Sequence, residues 1–236
     1  PKNSTLHFYK CTELQPSQAI HQFNLANAYK LNNKFDHAIN AYKKAIQLDK
    51  LFLPAYFNLG NTYKTQSNFT DARKVYGHII EIQPDNYQAL DAIGMCYNEE
   101  LNYSAALSYL NKAIEMQPSY AEAYNNLGVT LEQNGNLNKA INLYKKSIIL
   151  KPNYVEAYNN LGNVLKSQGK LKEAIDAYEK AISINPKYAE AFNNLGVAFQ
   201  SQHRSAEALT AYKNAISLKP EYASAYNNSG NVLKSQ

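Results

Sequence analysis

The residues of this chain best suited to nucleophilic, acid–base or metal chemistry are five histidines and two cysteines. His7, His21, His37, His78 and His203 include no pair at the i, i+4 spacing of a helical metal site. Cys11 and Cys96 are far apart and no Cys-x-x-Cys occurs, which excludes a disulfide framework and a cysteine-rich metal site. The glycines stand singly, so there is no phosphate-cradling loop. These residues form no catalytic constellation, and neither an enzyme activity nor a cofactor or metal is expected of the chain. Asn3–Ser4–Thr5, Asn68–Phe69–Thr70, Asn102–Tyr103–Ser104 and Asn227–Asn228–Ser229 match the glycosylation acceptor pattern, as a chain with 30 Asn does by chance.

Those asparagines carry the chemistry that remains. Asn24, Asn58, Asn126, Asn160, Asn194 and Asn228 are separated by multiples of 34 residues, and so are Asn27, Asn61, Asn163 and Asn231. A compositional bias would raise Asn everywhere and not at two phases. One amide side chain offers an acceptor oxygen and two N–H donors. That set complements a peptide unit, which offers one N–H and one C=O. A column of such amides can hold an extended polypeptide by its main chain without reading its side chains; the alternative is that they bond to neighbouring helices and order the stack.

The elements that would align the column are visible in the same period. Pro84, Pro118, Pro152, Pro186 and Pro220 are 34 apart, as are Gly60, Gly94, Gly128, Gly162, Gly196 and Gly230. Ala38 to Ala208 and Ile46 to Ile216 keep the same step. Residues 121–154 and 155–188 are identical at 17 of 34 positions. Six full repeats run over 19–52, 53–86, 87–120, 121–154, 155–188 and 189–222. In each, positions 4, 7, 8 and 11 form one amphipathic helical stripe, and positions 17, 20, 21, 24, 27 and 28 a second. A polar turn separates them, and the proline at position 32 ends the second helix. Glycine at position 8 and alanine at 20 let the two helices approach closely. The Tyr residues at positions 4 and 24 are packing residues, and those two after each proline fall at the turn between repeats. Asn24 and its equivalents occupy position 6, and Asn27 and its equivalents position 9.

This pattern resembles the tetratricopeptide repeat (TPR) over nearly the whole chain. The departures are Tyr or Phe for the family's Trp at position 4, and a first repeat with Gln22, Ala26 and Lys50 at positions 4, 8 and 32. The resemblance implies an all-α fold, a right-handed α-solenoid of stacked helical hairpins whose first-helix face lines a concave groove. In that register 3–18 is the second helix of an incomplete repeat, with Phe8, Cys11 and Pro16 at positions 24, 27 and 32, and 223–236 is the first helix of another. Both end faces lead to an expectation of end-to-end self-association.

Within the family, arrays that grip a C-terminal carboxylate use Lys at position 5 with basic residues nearby. Here position 5 reads Phe23, Phe57, Asp91 and then four Asn, so that clamp is missing. The Ala-Tyr-Asn-Asn-Leu-Gly motif and the Asn column are most similar to the arrays of O-linked N-acetylglucosamine transferases and SPINDLY-like proteins. The resemblance implies a module that binds protein or peptide segments, in the cytoplasm or nucleus, and selects partners for a larger protein. A structural scaffold acting through its convex or end surfaces is the alternative. The repeat at 87–120, with Asp91, Ala92, Met95 and Glu99, is expected to interrupt the column.

Charge and composition agree. A hydrophobic fraction of 45% is too high for a disordered chain. No apolar run reaches the roughly 18 residues of a membrane span, so no membrane partner is expected. The net charge of +5 is spread over scattered lysines. The doublets Lys43–Lys44 and Lys145–Lys146, with Lys180 and Lys213, fall late in second helices, where the helix dipole favours cations. No basic patch arises, so nucleic acid is not an expected partner.

Overall fold

The computed structural model describes residues 8–10 and 18–234. Residues 8–10 are helical; 3–7 and 11–17 of the 3–18 segment, including His7, Cys11, Pro16 and the Asn3 acceptor pattern, lie outside the described residues. Each repeat is a helical hairpin. The first three are α1 (Ala19–Leu31) with α2 (Phe35–Leu48), α3 (Leu53–Thr65) with α4 (Phe69–Ile82), and α5 (Tyr87–Glu99) with α6 (Tyr103–Met116). The next three are α7 (Ala121–Gln133) with α8 (Leu137–Leu150), α9 (Val155–Ser167) with α10 (Leu171–Ile184), and α11 (Ala189–Ser201) with α12 (Ser205–Leu218). A last first-type helix, α13, covers Ala223–Lys234. The fold is an all-α solenoid of stacked helical hairpins, with no strand among the described residues.

The boundaries follow from the sequence. Every second helix ends two residues before position 32, and the residue before proline leaves helical geometry, as at Gln83 (φ −135°, ψ 91°). Pro54 sits in the first turn of α3, where a missing N–H costs nothing. Asn68, Asn86 and Asn102 cap α4, α5 and α6 by accepting from the backbone N–H of Asp71, Ala89 and Ala105. These caps account for asparagines that stand outside the column.

The chain divides into two compact halves, 1–118 and 119–236. The N-terminal half has a core of Ala38, Tyr42, Leu59, Ala72, Tyr76, Ile79, Ile93 and Cys96 among others. The C-terminal half is centred on Tyr144, Leu161, Val164, Tyr178, Ala198 and Tyr212. The tyrosines at position 24 (42, 76, 144, 178 and 212) are fully buried, while Tyr56, Tyr124 and Tyr158 at position 4 are half-buried. A Cβ on Gly60, Gly128, Gly162 or Gly196 would come within 2.5 to 2.7 Å of the position-24 ring of the same repeat. The close approach expected of the repeating glycine is therefore ring on backbone. In the repeat without that tyrosine, Leu110 takes the ring's place against Gly94.

Candidate peptide-binding face

Position 6 lies on the first helix beside the packing stripe. In the C-terminal half the successive first helices α7, α9, α11 and α13 touch one another, and in the N-terminal half α1 touches α3. Among the described residues no comparable contact joins successive second helices. Within each half the first-helix face is thus the inner side, where neighbouring repeats come closest.

There the amides are linked from repeat to repeat. Asn160 Nδ2 donates to Asn125 Oδ1 (3.1 Å), Asn194 Nδ2 to Asn159 Oδ1 (3.0 Å) and Asn228 Nδ2 to Asn193 Oδ1 (3.0 Å). Each bond joins position 6 to position 5 of the preceding repeat. Asn125, Asn159 and Asn193 are buried, whereas Asn126, Asn160, Asn194 and Asn228 are half-buried. In the N-terminal half position 5 is Phe23, and Asn58 Nδ2 donates instead to Asn27 Oδ1 (2.9 Å) at position 9. Asn24 is half-buried on the same face. The amide column is therefore also a bonding seam between repeats. One Nδ2 hydrogen of Asn58, Asn160, Asn194 and Asn228 is used in the seam between repeats, because the neighbouring first helix presents an amide acceptor within reach, buried for the last three and half-buried at Asn27.

Position 9 answers to a different demand. The buried phenols of Tyr42, Tyr76 and Tyr178 donate to Asn27 (2.6 Å), Asn61 (2.8 Å) and Asn163 (2.8 Å). Where position 9 is Val129 or Val197, the phenol turns to position 12. Tyr144 donates to Glu132 (2.6 Å) and Tyr212 to Gln200 (3.0 Å). Where position 9 is Met95, position 24 is Leu110 and no hydroxyl needs a partner. The alternation at position 9 is thus set by which residue satisfies a buried hydroxyl. Asn231 is exposed on α13.

Electrostatics on this face is modest. Burial lowers the pKa of Lys30 and Lys166, both at position 12, and raises that of Glu132. Glu122 and Glu190 at position 2 pair with Lys151 and Lys219 near the end of their own repeats. The Lys doublets are exposed on the second helices, as their position predicts. Asp91 is buried, and with Ala92 in place of an amide the repeat 87–120 carries no position-6 bond. Reasoning from sequence missed position 5. Its signal was the Asn-Asn pair that recurs in the last four repeats.

Profiles described as TPR repeat match residues 26–67, 133–169 and 162–203, and profiles described as tetratricopeptide repeat match 53–86, 87–120, 109–142 and 189–222. The chain belongs to the tetratricopeptide repeat family. Its fold is similar to a solved structure of the APC/C hetero-tetramer Cut9-Hcn1, with a TM-score of 0.79 at 18% identity. That match covers 98% of this chain and 46% of the other, so the chain spans about half the length of that chain. Two solved structures of MamA match at 30% identity, with TM-scores of 0.59 and 0.57. They cover 70% and 71% of this chain and 96% and 92% of theirs. No curated protein matches by sequence. The tetratricopeptide repeats support a protein–protein interaction module or scaffold. No helix among the described residues is long and apolar enough to cross a membrane.

Proposed function

We propose that the inner face binds an extended protein segment through its main chain, with the position-6 amides as the contact column. The observation that carries this reading is the repeated bond from Asn160, Asn194 and Asn228 to the preceding repeat. An amide needs only one N–H for the seam. Its second N–H and its oxygen keep further bonding capacity. The seam bond also fixes the side-chain rotamer before any ligand arrives, so less conformational entropy is lost on binding. Asn231, exposed at position 9 of α13, extends this face in the C-terminal half.

A double substitution, Asn160→Ala with Asn194→Ala, tests the column. With a fluorescein-labelled Gly/Ser decapeptide as probe, affinity is expected to fall by roughly tenfold or more. Loss of two seam bonds is expected to lower stability by about 1 kcal/mol each, so binding is measured well below the melting transition. Undiminished affinity for the probe would remove the column from the binding surface and leave it a packing device.

The Ala-Tyr-Asn-Asn-Leu-Gly motif supports a finer reading, in which the array selects partners for a larger protein such as a protein O-glycosyltransferase. A glycosyltransferase domain in the same reading frame is its test, and a frame without one removes it. End-to-end self-association is supported by Tyr226 and Leu233, 52% and 60% exposed on α13. Sedimentation showing only monomer at every concentration would discard it.

A further inference from the structure

On the outer side of the N-terminal half, between α4 and α6 and above α5, lies a cleft of about 570 Å3. We propose that this cleft docks a protein segment in which a bulky apolar side chain is flanked by carboxylates. Three departures from the repeat pattern meet there.

The first is Gly77. Position 25 is otherwise Lys43, Asn111, Lys145, Glu179 and Lys213. Unlike Gly60, Gly94, Gly128, Gly162 and Gly196 at position 8, Gly77 has nothing within 4 Å of where its Cβ would stand. It weakens the middle of α4 without serving a close approach. What it does is open the cleft. One repeat earlier the equivalent cleft is only about 350 Å3, with Lys43 and Tyr56 where this one has Gly77 and Leu90. Lys43 lies over its own wall, its Nζ 5.9 Å from the Tyr63 ring.

The second departure is the wall. Tyr97 and Tyr109 stack with centroids 5.6 Å apart and planes at 24°. The Arg73 guanidinium lies 4.4 Å from the Tyr97 centroid and pairs with Glu100. Both rings are held before a ligand arrives, and a rigid aromatic wall over an apolar floor suits one large apolar side chain.

The third is charge. Arg73, Lys74 and Lys112 line the cleft and no carboxylate does. Arg73 and Lys74 already have Glu100 and Asp71, but Lys112 has no ion pair among the described residues, its Nζ 5.6 Å from the Tyr109 centroid. A cationic rim around an apolar seat selects an acidic flank on the partner and repels a basic one. The cleft is on the opposite side of the hairpins from the amide column, so this inference stands or falls independently of that reading.

The test is titration of the isotope-labelled chain with acetyl-Asp-Glu-Phe-Leu-Glu-Asp-amide and with its lysine counterpart, followed by amide chemical shifts. The acidic peptide is expected to move Gly77, Tyr97 and Tyr109, and the lysine peptide to bind more weakly. Gly77→Lys restores the usual residue and is expected to remove binding while the melting temperature holds or rises. Lys112→Glu is expected to weaken the acidic peptide roughly tenfold and shift preference to the lysine peptide. Shifts confined to the inner face, equal binding of both peptides, full affinity in Gly77→Lys, or preference for oligothymidine over peptide would each overturn the proposal.

Discussion

The glycine at position 8 and the tyrosine at position 24 work as a pair. A Cβ on Gly162 would stand 2.5 Å from Cε1 of Tyr178, a ring that is fully buried and bonded to Asn163 through its hydroxyl. The ring cannot retreat without breaking that bond or displacing the next helix. Gly162→Ala is therefore expected to destabilise by about 1–3 kcal/mol, the range for overpacking a tight core. Gly230 holds the same position on α13, where nothing lies within 4 Å. Gly230→Ala is expected to gain up to about 1 kcal/mol from helix propensity alone. Thermal melts of the two variants measure the difference, and equal shifts would show that the ring contact is not the reason for the glycine. Ala26, at this position in the first repeat, is fully buried. A hairpin whose packing has settled around a Cβ can hold one, which places the expected cost nearer the lower end.

At the scale of the hairpin, the turn imposes its own demand. Position 15 has positive φ in every full repeat: Asn33 56°, Ser67 57°, Leu101 60°, Gly135 81°, Gly169 74° and His203 60°. The turn geometry is common to all six, but only two repeats supply the residue that adopts it without strain. A β-carbon in this region costs roughly 1–2 kcal/mol, and Leu101 has no short polar group to offset it. Its side chain is 67% exposed, so little packing is at stake. Leu101→Gly is expected to raise stability by about 1 kcal/mol, read as a higher midpoint in urea with an unchanged slope. A lower midpoint would show that the Leu101 side chain contributes more than its strain costs. The hairpins themselves were legible in the sequence, because a period of 34 with proline, glycine and alanine at fixed phases leaves little choice of architecture. The amide seam was less so. Periodicity tells which face of a helix a residue occupies, but it does not tell whether Asn160 reaches outward or across to Asn125. The outer cleft left still less trace, since Gly77 alone reads only as a weak helix former and the wall it faces belongs to the next repeat.

Across the whole chain the same buried phenol recurs, and this links all five hairpins that carry one to a single solution variable. Repeat arrays gain stability from each unit and its nearest neighbours, so a change that strikes one position in five repeats acts on both halves at once. Burial pushes Tyr42 and Tyr212 up to about 12 from the ordinary value of 10. It raises Tyr76, Tyr144 and Tyr178 further, Tyr144 with added repulsion from Glu132. A folded pKa above the unfolded one means that the unfolded chain loses its proton first, so stability falls as pH rises. The contribution is complete below pH 10 and is lost between 10 and about 12 for Tyr42 and Tyr212. The chain is therefore expected to hold its melting temperature up to pH 10 and then unfold steeply, with phenolate absorbance from these tyrosines appearing together with the loss of helical circular dichroism. If all the phenolate signal appeared at ordinary pH while the helices stayed intact, the hydroxyls would have to be open to water, and the pairing of position 24 with positions 9 and 12 would lose its physical basis.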